Sequence, residues 1–465
     1  MAIQVLVLLY RISIVSSSMS KGYLAYYKRI IVLGLPILLG QLGMIAVGFA
    51  DNIMVGQHST PELASASFVN NLFNVVMFMC IGFTYGLTPL IGALAAHDKQ
   101  HDIGRTLLTG LKVNTAFSLA ITIIMGLVYF YLDSIVKDSE LLPLIRPYYV
   151  IYLVGIIPVS VFNVFAQWSY AVRNSVMPTI IVLAGNVVNV LGNYLLIDGR
   201  WGLPEMGLTG AGIATLIARL LCMAAIVCVF TMSNRFAGYR RGFKSSVPVV
   251  TTVRKVFFTS LPIGLQLAME TGAFSGAAII AGWLHNGILA LAAFQVLVIV
   301  GTLGFCVYYS MGTGVSVLVA NAAGNDDTAE MRRIGWAGYH VILGCAVISC
   351  TVFLLWGESL ISLFSDNDAA LIALASAQIM PLLLYQLGDA TQINFAGALR
   401  GTSHVMPILW IAFVSYIVVG IPSTWLLAHP MGMGLKGIFL SFSLSLFLAG
   451  ALFLYYFLKN TTARR

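Results

Sequence analysis

Apolar residues fall along this chain in long, nearly unbroken runs separated by short polar breaks. Cutting at the breaks gives twelve runs, near 30–55, 65–95, 107–132, 145–166, 176–197, 207–232, 256–283, 287–320, 334–356, 370–395, 404–427 and 434–458. Each exceeds the roughly 20 residues that carry an α-helix across a hydrocarbon core. A membrane-crossing strand would be about ten residues long and would alternate in polarity, and these runs do not. The pattern predicts an all-α polytopic membrane protein with twelve transmembrane helices. Composition agrees: 59% of residues are hydrophobic and 9% are charged, where a soluble domain carries about 25% charge.

Charge then orients the spans. Lys28 and Arg29 precede the first span, and Lys99, Arg105 and Lys112 follow the second. Arg173 follows the fourth, a basic cluster from Arg235 to Lys255 follows the sixth, and Arg332, Arg333 and Arg400 continue the series. All of these belong to one side. The other side has only Lys137, Arg146, Arg200 and Lys436. Basic loops stay in the cytoplasm, so both termini are expected there. The net charge of +8 is scattered singly over many loops, which is a topology signal and not a nucleic-acid surface. Residues 1–20 hold one short apolar run without the basic leader and cleavage site of a signal peptide. They are expected to be an extension, with translation starting at Met19.

The chain repeats itself. Leu35–Leu42 (LPILLGQL) is echoed by Leu261–Leu267 (LPIGLQL), Ala171–Pro178 (AVRNSVMP) by Ala398–Pro407 (ALRGTSHVMP), and Met206–Gly210 (MGLTG) by Met433–Gly437 (MGLKG). The offsets are about 226–229 residues and the order is kept, which points to duplication. Six spans per copy is an even number, so both copies enter from the same side as parallel repeats. The expected organisation is an N-terminal extension 1–25, a six-helix lobe 26–233, a cytoplasmic linker 234–255, a second six-helix lobe 256–458 and a tail 459–465. Such proteins bind substrate between lobes near mid-membrane and work by rocking one lobe against the other.

Against that apolar background three acids stand out, because only Asp51, Glu270 and Asp389 lie inside the runs. A carboxylate at membrane depth costs several kcal/mol, about 2.5 to 3.5 on insertion scales, unless it faces a cavity or a partner. The three do not follow the repeat, since Asp51 shifted forward lands near Ala277. The first lobe therefore carries one acid and the second carries two, which implies unlike cation chemistry in the two lobes. Tyr385 and Asp389 share a helix face at i,i+4, with Gln386 and Gln392 flanking Asp389, and Gln266 lies one turn before Glu270. Carboxylate, amide and hydroxyl oxygens suit a hard cation. The competing reading is helix–helix hydrogen bonding without a ligand. The same two readings apply to Asn186, Asn189 and Asn193 on one face of the fifth span, and to Asn70, Asn71 and Asn74 in the second. Pro36 and Pro262 sit early in the first helix of each lobe, where a missing hydrogen bond permits a bend. Arg219, the one basic residue deep in a span, either offsets a first-lobe acid or locks helix packing.

Other chemistry is thin. The six cysteines all lie in apolar runs and form no CxxC pair. His97 and His101 have helical i,i+4 spacing but lack a third ligand, and no HExxH, GxSxG or phosphate-binding glycine loop occurs. No cofactor is expected beyond a coupling ion, and no enzyme activity. The aromatic stock suits a cavity for flat organic cations and suits lipid-facing belts equally well.

The segments Leu35–Gly56, Leu261–Phe274, Tyr385–Gly401 and Met206–Arg219 together resemble the multidrug and toxic compound extrusion (MATE) transporters, bacterial NorM-like branch, over about Tyr26 to Leu458. The resemblance implies twelve helices in two lobes and export of amphiphilic organic cations in exchange for Na⁺ or H⁺. It implies a monomer among the lipids of a bacterial inner membrane. Asp51 matches the first-helix aspartate of proton or drug coupling. Glu270 and Asp389 match the acids of the second-lobe cation site, which would hold Na⁺, and Tyr385 a tyrosine near it. Asn189 and Asn193 match positions near Asp51. The loop after the second span departs from the family's glycine-rich pattern, reading AAHDK. The second-lobe set resembles the Na⁺-using branch, and Asp51 is the better proton carrier. The alternatives are a flippase of lipid-linked saccharides, disfavoured by an anionic site, and a membrane-embedded enzyme, disfavoured by the missing motifs.

Overall fold

The computed structural model describes residues 22–136, 140–245, 251–365 and 368–462. The expected start at Met19, Lys137, part of the 234–255 linker and the terminal arginines lie outside the described residues. Helices and short connections make up the described chain, with no strand among the described residues.

Among the described residues, eleven helices are long and apolar enough to cross a membrane, and a twelfth span is the bent pair Ala369–Ser376 and Ile379–Gly401. The helices reach further than the apolar runs. The first covers Tyr23–His58, 36 residues, or roughly 54 Å at about 1.5 Å per residue. Hydropathy sees only the part that hydrocarbon surrounds, whereas helical hydrogen bonding continues into water. Two spans are interrupted in ways hydropathy does not register. The second breaks between Thr84 and Leu87. The tenth bends by 51° between its two helices.

Contacts divide the chain into two compact units. One is Leu39–Gly264, and the other joins the segment up to Leu38 with Leu265–Arg465. The exchange points lie inside the first and seventh spans, each two residues after a helix-internal proline, Pro36 and Pro262. The sequence places the lobe boundary in the 234–255 linker. Packing places it inside two helices, because the start of each lobe's first helix buries itself among the other unit's helices. In the second unit, Gly34 lets its helix approach Met311 and the Ser310 carbonyl, at 3.1 Å from a Cβ built there. Tyr27 reaches His340 Nδ1 at 3.0 Å. In the first unit, Gly264 packs on the Met79 carbonyl at 2.9 Å, and Val256 joins the core around Phe83, Phe165 and Trp168.

The first unit's cores are aromatic. Phe83 stacks on Phe117 with centroids 3.9 Å apart, and Phe73 meets Tyr149 edge-on at 4.8 Å. At one end of this unit His58 bridges Glu62 at 2.8 Å and Glu205 at 3.0 Å, fixing the end of the first span. The second unit packs its eighth and tenth spans backbone to backbone. A Cβ at Gly397 would stand 2.7 Å from the Gly312 carbonyl, and one at Gly401 2.7 Å from the Ser316 carbonyl. Small residues make this approach possible, as is usual where helices pack without a hydrophobic driving force.

Candidate functional site

The second unit gathers its acids in one place. Glu270 stands on the seventh span and Asp389 on the tenth, 8% and 2% exposed. Gln392 Nε2 lies 3.4 Å from Glu270 Oε2 and donates to the Tyr416 hydroxyl at 2.8 Å. Gln266, Tyr416 and Arg400 also act on the Glu270 carboxylate, Arg400 electrostatically. Thus helices seven, ten and eleven all contribute to the shell of one carboxylate.

The oxygens of this shell are incompletely used. Asp389 Oδ2, Gln266 Oε1 and Gln392 Oε1 are buried and have no hydrogen-bond partner among the described residues. A buried polar atom without a partner costs roughly 1–3 kcal/mol. Two glutamine oxygens and an unpartnered Asp389 oxygen, together with the Glu270 carboxylate, form a donor set suited to a hard cation. A cavity lined by Glu270, Ala273, Phe274, Tyr416, Phe442 and Ser445 opens beside them, with about 300 Å³ of empty space, open solvent included.

Two of the expected neighbours serve differently. Gln386 donates to the Gly301 carbonyl at 3.0 Å, and Gly304 leaves room for its amide oxygen. Its amide hydrogen bond ties the tenth span to the eighth. Tyr385 packs its ring against Phe274, Phe439 and Phe442 at centroid distances of 6.1, 6.5 and 6.1 Å. Its charge environment includes both acids.

The first unit holds a different arrangement around its single acid. Asn193 donates to Asp51 Oδ1. Asn189, with its amide nitrogen turned to the same oxygen, donates at 2.9 Å while its oxygen accepts from Thr215. The asparagine face read from the fifth span therefore meets the first-span aspartate. Asn186 instead lies against Gly43, and its amide nitrogen is unpartnered among the described residues. Asn71 and Asn74 are exposed, while Asn70 is half-buried with an Oδ1 that has no partner among the described residues.

Arg219 belongs to the Asp51 neighbourhood. Its guanidinium lies over the Tyr152 ring, 4.9 Å from the centroid, in space left by Gly155, where a Cβ would stand 2.6 Å from Nη1. It interacts electrostatically with Asp51. Of the two sequence readings, the acid-facing one fits this position. The first site is thus an acid with a resident cation and two amides, while the second is two acids with unused oxygens.

Tyr416, Gln392's role as the link between Tyr416 and Glu270, and Arg400's approach were not legible from spacing. Tyr416 lies 146 positions from Glu270. The one local signal was the Gly420–Ile421–Pro422 step, which marks an irregular helix. Among the described residues no group of three or more His, Cys, Asp or Glu side chains forms a metal cluster.

A family model described as MatE matches residues 36–195 and 262–426. The two matched stretches begin at the two helix-internal prolines, in register with the repeat. The chain is 27% identical over 439 residues to a probable multidrug resistance protein NorM of Xanthomonas axonopodis pv. citri, covering 94% of each chain. It is 29% identical over 428 residues to the probable NorM of Bradyrhizobium diazoefficiens, covering 90% of each. Among solved structures it superposes on a eukaryotic MATE transporter with a TM-score of 0.85, at 16% identity, over 95% of this chain and 98% of that one. It superposes equally fully on a MOP superfamily transporter from Pyrococcus furiosus, with a TM-score of 0.82 at 16% identity over 96% and 99%.

Proposed function

Since the chain belongs to the MatE family of multidrug efflux transporters, we propose that it is a cation-coupled antiporter that exports amphiphilic organic cations in exchange for Na⁺ or H⁺. The observation that carries this reading is the pair Glu270 and Asp389, buried at membrane depth, with Asp389 Oδ2 and two glutamine oxygens unpartnered among the described residues. Two carboxylates with amide and hydroxyl oxygens favour Na⁺ as the ion of this site. Gln266 and Gln392 supply the neutral oxygens, and Tyr385 walls the site with its ring. Asp51 is the proton-carrying group of the first unit. Its two asparagine partners and Arg219 give it a shell of donors and one fixed positive charge, which leaves little call for a metal ion.

Coupling follows from competition. An organic cation and a coupling ion that both need the same carboxylates cannot be held at full strength together, so occupancy by one favours release of the other. Alternating access then turns that competition into exchange. Pro36 and Pro262 are placed to serve as hinges, because each breaks the hydrogen-bond ladder of a helix shared by two compact units. Likeness to bacterial NorM proteins favours the cytoplasmic membrane of a bacterium, and the basic loops favour both termini inside.

Purified protein in proteoliposomes, loaded with ethidium and given Na⁺ and H⁺ gradients separately, tests the reading. Efflux driven by an imposed Na⁺ gradient at fixed pH is expected. Efflux indifferent to both gradients would remove the antiporter assignment. Turnover of the dye's chemical structure would favour an enzyme.

A further inference from the structure

The eleventh span is α-helical only at its ends. Met406–Ala412 and Ile421–Ala428 are α-helix, and Phe413–Gly420 between them is π-helix. The sequence explains why. Pro422 has no N–H to give, and its ring presses on the carbonyl of the residue four earlier, Val418. Widening the preceding turn to i→i+5 bonding relieves that clash. Gly420 permits the wider winding, because a Cβ there would stand 3.0 Å from both the Ser415 carbonyl and Ser445 Oγ. Extended π-winding is rare and collects at functional sites.

Each residue absorbed by a π-turn rotates the helix face by roughly 100° relative to continuous α-winding. Here the rotated face carries Tyr416 inward, where it is 3% exposed. Its oxygen accepts from Gln392 Nε2 at 2.8 Å, and the same nitrogen lies 3.4 Å from Glu270 Oε2, so one amide ties the phenol to the carboxylate. Both side chains line the same cavity. Beside it, Ser415 Oγ is buried without a partner among the described residues. The phenol thus stands beside the same carboxylate that a coupling ion would use.

We propose that Tyr416 is a placeholder for the coupling cation: its hydroxyl satisfies Glu270 when no metal ion is bound, must be displaced for the ion to bind, and by returning speeds the ion's release. The role rests on Glu270 being the ion site. Tyr416 is a positioning residue, acting through Glu270 and set in place by the π-helical segment. With Gln392 donating to the phenol oxygen, the proton of the hydroxyl is left free to turn to the carboxylate. A cation arriving at Glu270 faces a competitor of fixed geometry, so affinity is lowered and exchange is fast.

Tyr416→Phe removes the competing hydroxyl and keeps the ring, so the buried packing is retained. In proteoliposomes it should lower the half-saturating Na⁺ concentration for ethidium efflux by roughly tenfold, the factor carried by one charge-assisted hydrogen bond. It should also lower the maximal rate, because release of the ion is slowed. A merely structural tyrosine would not shift affinity and rate in that combination. Glu270→Gln is measured alongside. If Glu270→Gln abolishes the Na⁺ response and Tyr416→Phe has a wild-type half-saturation, the ion site stands and the placeholder falls. A raised half-saturation in Tyr416→Phe also overturns it, since the hydroxyl would then be a ligand. A wild-type Na⁺ response in Glu270→Gln, or none in the wild-type protein, overturns both the site and the placeholder.

Discussion

Replacing Glu270 by glutamine keeps the size and one oxygen of the side chain and removes its charge. The carboxylate lies among Gln266, Gln392 and Tyr416, of which Gln392 donates to it, with Arg400 in electrostatic range. A unit charge acting on a cation about 4 Å away through an effective dielectric near 20 is worth about 4 kcal/mol. That corresponds to about a thousandfold in affinity. The loss is deepened on the protein side where the new amide nitrogen takes the place of Oε2, because it then points an N–H donor at the Gln392 amide nitrogen, itself a donor. Asp389 remains, so a residual site is expected in place of complete loss of oxygen ligands. The assay is ethidium efflux from proteoliposomes across a Na⁺ titration at fixed pH, with detergent-solubilised protein checked for an unchanged elution profile. The half-saturating Na⁺ should move beyond the accessible range in Glu270→Gln. A half-saturation within threefold of wild type would refute the reasoning, since no buried charge in direct contact with the ion could be lost so cheaply.

Other expectations can be checked independently. Asp389→Asn should likewise abolish Na⁺-driven efflux while the protein still reaches the membrane, and retained driven efflux would exclude Asp389 from the site. Asp51→Asn should remove the part of efflux that a protonophore collapses and leave the Na⁺-driven part; equal loss of both would place the two sites in one obligatory chain. Cysteine placed at Ser245 should resist membrane-impermeant thiol reagents in intact cells, while cysteine at Ser59 should react, and the reverse pattern would invert the topology. Gly264→Ala should lower the thermal unfolding midpoint, because its Cβ would sit 2.9 Å from the Met79 carbonyl and 3.2 Å from Phe83 N, and overpacking of this kind costs roughly 1–3 kcal/mol. An unchanged midpoint would mean that the second and seventh spans move apart without cost.

Much was legible in the chain because the membrane imposes local rules. Backbone groups in hydrocarbon must bond within their own helix, so long apolar runs can only be spans, and loop charge reports their direction. The three acids were visible because ionisable residues inside such runs are costly, and the duplication because both copies kept LPI and MGL segments. Helical periodicity put Asn189 and Asn193 on one face, and the structure brings that face to Asp51.

What stayed hidden depends on which helix stands beside which, and periodicity within one helix carries no information about that. Nothing near Gln386 in sequence says that its amide bonds Gly301 rather than an acid. Nothing near Tyr416 says that its hydroxyl meets Glu270, because Pro422 and Gly420 change the winding before the residue's direction is set. The exchange of helix starts between the two units was likewise invisible, since it is decided by packing across Gly34 and Gly264, not by the polar linker that separates the repeats in sequence. The apolar pattern determined that the chain spans a membrane as a duplicated bundle with three acids inside its spans. Only the tertiary structure decided which amides, hydroxyls and guanidinium groups those acids face, because such partners come from helices far apart in the chain and short-range periodicity does not relate them.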